Sequence, residues 1–211
     1  MKILFLGDSI TDVGRNISNG SLVSIGQGYA LMVSGQLGVR YPGRFTFENR
    51  GISGNRVVDI YARIKADCWN EKPDVVSVLV GVNDVWHELA CNNGVDYERF
   101  YRVYRALVTD TMHALPNVKM MLMEPFVLHG TATNESWDVF HREVLLRAEA
   151  TKRIAEETGV LFVPLQQKLD SACSICPVPY WLGDGVHPTP AGHQLIADAW
   201  VEAFETLISG S

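Results

Sequence analysis

Short apolar runs alternate along the chain with segments of helical period. Ile3–Leu6 is wholly apolar and runs into Gly7-Asp8-Ser9, so it reads as a first strand that ends on a polar pair. Phe45–Asn49 reads as a second. Asp74–Gly81 (DVVSVLVG) is rich in β-branched residues and lies between Pro73 and Gly81, the marks of a central strand. Val118–Pro125 and Val160–Pro164 read as the last two. Between these runs, Phe100, Val103, Tyr104 and Leu107 share one helical face, and Val144, Leu145 and Ala148 share another. Ile196, Ala199, Trp200, Ala203, Phe204 and Leu207 form the longest stripe, on the last helix.

Strands that are apolar on both faces and alternate with helices predict a parallel sheet covered on both sides. The expectation is a single domain over residues 1–211. It is a three-layer α/β/α fold with a five-stranded, flavodoxin-like parallel sheet. In such a sheet, function gathers in the loops beyond the carboxyl ends of the strands. Those loops should therefore be polar and chemically related.

Composition narrows the partners. The chain has 18 basic and 24 acidic residues, a formal charge of −6, without long like-charge runs. That leaves no basic patch for nucleic acid or an anionic membrane. No run approaches the roughly 18 apolar residues of a membrane span, and the N-terminal run is shorter than a signal-peptide core of about 7–15 residues. The expectation is a cytoplasmic protein. Cys68 and Cys91 are isolated. Cys173 and Cys176 form a C-x-x-C followed at once by Pro177 and Pro179, with no second pair to complete a zinc site. They are expected to be reduced structural thiols, with a disulfide or redox-sensitive pair as the alternative, and no metal or cofactor is expected.

The predicted strand tips are Gly7-Asp8-Ser9-Ile10-Thr11, Asn49–Asn55 (NRGISGN), Gly81–Trp86 (GVNDVW), Glu124-Pro125-Phe126 and, before the last helix, Asp184–His193 (DGVHPTPAGH). Together they hold the parts of an acyl-transfer site. Serine is a weak nucleophile until a base takes its proton, and the base works best when a third group orients it. Asp184-x-x-His187 offers both partners on one short turn. The tetrahedral intermediate needs donors aimed at its oxyanion, and Ser9 N–H, the Gly54 backbone and the Asn83 amide are candidates.

These blocks, in this order from Gly7 to His193, resemble those of the SGNH hydrolases (the GDSL esterase family). The resemblance implies Ser9 as nucleophile, Asp184 and His187 as the other triad members, and Ser9, Gly54 and Asn83 as the oxyanion hole. Ile10 stands where the family name has leucine, an apolar position either way. Finer features (GDSITDVGR, NRGISGN, KPDVVSVLVGVNDVW, VHPTPAGH) are similar to the intracellular acetylxylan esterases of that family, bacterial enzymes that strip acetyl groups from xylo-oligosaccharides. The likeness implies a small acetylated saccharide as substrate. It also implies a homo-oligomer, and the aromatic Trp181 in the proline-rich CPVPYW loop reads as a candidate subunit contact.

Other readings stand beside these. Ser9 and Asp8 are also good helix caps. Asp8 is expected to organise its loop, and Asp84 to fix the Asn83 loop through backbone N–H groups. Asp170 is a second acid that could orient the base. Trp86 and Trp181 flank the site in sequence as substrate walls or as ordinary packing. Glu124 either contacts substrate or closes a turn, and residues 128–138 are a polar insertion at the pocket rim. His193 reads as a packed or capping residue. Aryl esters, lipids or thioesters are alternative substrates for the same site. A nucleotide-binding module is disfavoured, because FLGDSIT has a single glycine and no G-x-G-x-x-G.

Overall fold

The computed structural model describes residues 1–16 and 22–209. Five strands, β1 (Lys2–Gly7), β2 (Thr46–Asn49), β3 (Val75–Leu79), β4 (Lys119–Met123) and β5 (Leu161–Val163), form one sheet. Every pairing is parallel, and the order is β2-β1-β3-β4-β5. This is the flavodoxin-like doubly wound order, with its topological switch between β1 and β3. All five expected strands are present, each within a residue or two of the predicted bounds.

Strand periodicity explains the two cores. In β1, Ile3 and Phe5 face one side while Leu4 and Leu6 face the other. In β3, Val75 and Leu79 are separated in the same way from Val76 and Val78. One face is covered by α2 (Tyr29–Arg40) and α9 (Pro190–Ser209), the other by α3 (Val57–Ile64) and α5 (Tyr97–Ala114). α6 (Trp137–Thr158) straddles both cores, with Phe140 and Val144 in the first and Ala150 and Ile154 in the second. Leu145 departs from the expected face: it is 38% exposed, because it lies about 100° around the helix from the buried Val144.

Aromatic rings pin α2 and α9 to the sheet. Trp200 stacks on Phe204 at 5.0 Å and leans on Phe5 at 5.5 Å, while Phe5 meets Tyr29 edge-on at 5.7 Å. Such rings bury large apolar areas with a geometric preference, so they fix helix position as well as stability. Among the described residues, no helix is long and apolar enough to cross a membrane.

The remaining helices sit at the carboxyl ends of the strands: α1 (Ser9–Asp12), α4 (Val82–Cys91), α7 (Gln166–Cys173) and α8 (Val178–Trp181). Asn83 is thus in the first turn of a helix where the sequence reading had a loop. Cys173 ends α7, and both it and Cys176 are free thiols.

Candidate active site

The turn before α9 is locally determined. Asp184 Oδ1 accepts the backbone N–H groups of Val186 and His187, both at 2.8 Å, which curls the chain back on itself. The other oxygen, Oδ2, lies 2.8 Å from His187 Nδ1. Burial pushes the Asp184 carboxyl up. The bonds from the His187 ring and from the His187 and Val186 amides outweigh that and hold it below the usual carboxylate range. An ionised carboxylate can only accept, so Nδ1 carries the proton and Nε2 is left as an acceptor.

Nε2 meets Ser9. The Ser9 hydroxyl stands 3.1 Å from it, across 178 residues of chain. Ser9 opens α1 directly after β1, and Asp8 caps that helix: its Oδ1 accepts Ile10 N–H at 3.0 Å. An amide in the first turn of a helix has no acceptor in its own helix, so the Ser9 N–H is available to a ligand. Asp8 is 1% exposed, and burial pushes its carboxyl up to about 7, opposed by the Ile10 bond and the His187 charge. Its second oxygen has no partner among the described residues.

Two further loops complete the edge. Asn83 Nδ2 donates to Asn55 O at 3.2 Å, which ties the start of α4 to the glycine turn. Gly54 beside it has φ +81°, the left-handed region that glycine occupies without strain. Asp84 holds the same junction from below, with both oxygens on Val57 N–H at 3.0 and 3.2 Å. Burial raises its carboxyl to about 7 as well. Asp8 and Asp84 thus do the loop-organising work expected of them.

The two tryptophans part company. The Trp86 ring lies 5.8 Å from the His187 ring and 5.9 Å from Phe140, half-buried against the core beside the proposed base. Trp181 lines a different cavity: its indole N–H donates to Cys176 O at 3.0 Å, its ring meets Tyr180 edge-on, and it is half-buried in the wall of a groove of about 540 Å³ between α7 and α9. Asp170 accepts from Gln166 Nε2 at 3.0 Å, away from His187, which leaves Asp184 as the acid on the imidazole. Glu124 closes a turn: its Oε2 accepts Leu165 N–H at 2.6 Å and Gln166 N–H at 2.9 Å at the start of α7.

Some supporting residues escaped the sequence reading. Asn49 donates to Thr11 O at 2.6 Å and Ile25 O at 2.8 Å, and accepts Gly51 N–H at 2.8 Å. It fastens the loop after β2 beneath the loop that carries Ser9. Asp12 accepts both the amide (3.0 Å) and the hydroxyl (2.9 Å) of Ser53. His193, by contrast, is the packed and capping residue it was expected to be: it is buried, and its Nδ1 accepts Tyr29 N–H at 3.2 Å at the start of α2. The signal for Asn49 was its position, a buried amide at a strand end just before the glycine turn.

The profile of the GDSL-like lipase/acylhydrolase family matches residues 5–195. An acetylxylan esterase of Geobacillus stearothermophilus is 38% identical over 208 residues, covering 95% of this chain and 92% of that protein. A crystal structure from Parabacteroides merdae, described as a GDSL-like lipase, superposes with a TM-score of 0.91 at 38% identity, covering 96% of this chain and 94% of that one. The structure of the Geobacillus esterase Axe2 in a catalytic variant superposes with a TM-score of 0.87 at 37% identity, covering 96% and 93%. Catalytic variants of that enzyme replace one serine, one aspartate and one histidine by alanine, the last two three residues apart.

Proposed function

Because the chain belongs to the GDSL-like lipase/acylhydrolase family, we propose that this carboxylic ester hydrolase removes acetyl groups from xylo-oligosaccharides, with Ser9 as its nucleophile. The observation that carries the mechanism is the chain of contacts Ser9–His187–Asp184, at 3.1 and 2.8 Å. The spacing of Asp184 and His187 equals that of the aspartate and histidine replaced in the Axe2 catalytic variants. The substrate is carried over from the Geobacillus relative.

On this reading, His187 Nε2 takes the Ser9 proton as Oγ attacks the acetyl carbonyl carbon. The negative charge that develops on the carbonyl oxygen is met by Ser9 N–H, the Gly54 backbone and the Asn83 amide. His187 then protonates the departing sugar oxygen, leaving acetyl on Ser9. Water, deprotonated by His187, attacks the acetyl-enzyme and releases acetate. Asp184 holds the imidazole in the required tautomer and stabilises it when charged.

The test compares wild type with Ser9→Ala on acetylated xylobiose and on p-nitrophenyl esters from acetate to octanoate. Acetate release from the sugar, preference for the shortest ester and an inactive variant support the proposal. Faster cleavage of longer acyl chains with the sugar untouched would replace the substrate class and keep the triad. Full activity in Ser9→Ala would remove the triad itself.

A further inference from the structure

Beyond the acyl site, the same edge of the molecule carries two cavities that have one lining residue, Leu89, in common. The first, about 330 Å³, lies between α4 and the 131–136 turn and is lined by Trp86, Leu89, Thr131, Glu135, Ser136 and Phe140. Its two walls are built into the candidate active site. On one side the Trp86 ring contacts the His187 ring. On the other, Ala132 N–H donates to Asp184 O at 2.9 Å. Trp137, held between the rings of His129 at 4.9 Å and His141 at 4.7 Å, anchors the far end of that wall.

The second cavity, about 410 Å³, lies between α4 and α6 and shares Leu89 with the first. Glu88, Asp96, Glu143 and Arg147 line it. Arg147 is 4% exposed; it donates to Glu143 Oε2 and to Val95 O, each at 2.7 Å, and its Nε has no partner among the described residues. That Nε is closed off from solvent, so the groups this cavity offers a ligand are the carboxylates around it. Glu88 spends one carboxylate oxygen on Gly94 N–H, and Asp96 one on Arg99 N–H, which leaves an acceptor on each.

An aromatic wall followed by hydroxyl and carboxylate groups suits a ligand with apolar ring faces and a fringe of hydroxyls. Resting on the esterase reading above, we infer that the two cavities form one track for the saccharide leaving group. The ring that bears the acetyl group lies against Trp86, the chain crosses Leu89, and distal rings reach the Arg147 cavity. The substrate is then an oligosaccharide of several rings, and rings remote from the ester raise kcat/KM by binding energy spent at the reacting centre.

The experiment measures kcat/KM on monoacetylated xylose, xylobiose, xylotriose and xylotetraose, with p-nitrophenyl acetate as the substrate that has no saccharide. In wild type the value rises about tenfold or more from one ring to four, the effect of roughly one well-made added contact. Leu89→Arg, at the junction, flattens the rise. Glu135→Ala lowers the sugar-to-aryl ratio at every length. A wild-type value independent of length, or a full rise retained in Leu89→Arg, overturns the track. A second measurement separates this from failure of the substrate reading: unacetylated xylotetraose is titrated into Ser9→Ala while amide NMR signals are followed. Shifts confined to α4, the 131–136 turn and α6 support the track even if no sugar acetate is cleaved. Their absence overturns it.

Discussion

Gly130 lies against the backbone carbonyl of Asp184 so closely that a Cβ on it would stand 2.4 Å from that oxygen. The contact belongs to a small interlock: Leu128 N–H donates to Gly185 O at 2.8 Å, and Ala132 N–H donates to Asp184 O at 2.9 Å. Thr133 closes the turn, accepting Gly130 N–H at 2.8 Å. The polar insertion at residues 128–138 therefore supports the turn that carries Asp184 and His187.

Gly130→Ala should push that turn away from Ser9. A displacement near 1 Å is enough to cost about 10²-fold in rate. The expected result is a kcat loss of that order on p-nitrophenyl acetate, with a far-UV spectrum like wild type. A variant with full kcat would mean that the turn keeps its place without the close contact.

Asn83→Ala removes an amide donor while leaving Ser9, His187 and Asp184 in place. Loss of one oxyanion donor costs about 10²–10³ in kcat with little change in KM. Steady-state kinetics on the acetyl ester reads this directly. An effect confined to KM would assign Asn83 to ground-state binding.

Asp84 makes stability depend on pH. Burial raises its carboxyl to about 7 from an ordinary value of 3.8, so the native form stays protonated where the unfolded chain has ionised. The contribution to stability is fully present below about pH 4 and is lost as pH rises through 7, by roughly 4 kcal/mol. Asp84→Asn keeps the shape and an acceptor for Val57 N–H. Urea denaturation at pH 5 and pH 8 should show the variant gaining on wild type toward the higher pH. Identical pH slopes for the two proteins would refute this.

His193 acts in the opposite direction. Burial lowers its imidazole to about 4 from 6.5, with a smaller push from His187. The unfolded chain takes up a proton that the native protein refuses, so stability is lost as pH falls from 6.5 through 4, by roughly 3 kcal/mol. His193→Gln keeps an acceptor for Tyr29 N–H and removes the titration. Its stability should fall less than that of wild type between pH 7 and pH 4.5, and an equal fall would reject the assignment.

What the sequence determined by itself is whatever depends on neighbours within a few residues. The five strands were legible because β1 and β3 are buried on both faces and so are written as unbroken apolar runs. The Asp184–His187 turn was legible because its hydrogen bonds close within three residues. Contacts that span tens of residues belong to the tertiary structure. Two tryptophans at similar distances from the motifs were equivalent in the sequence, and only packing sends Trp86 against His187 and Trp181 toward the α7–α9 groove. The same holds for Glu124, whose partners at Leu165 and Gln166 lie 41 and 42 residues on, and for Asn49, whose bonds reach back to Thr11 and Ile25. Periodicity records which face of an element is apolar, but it carries no information about which distant element covers that face. That choice is made by close packing of the whole core, which alone brings Ser9 within 3.1 Å of a histidine 178 residues away.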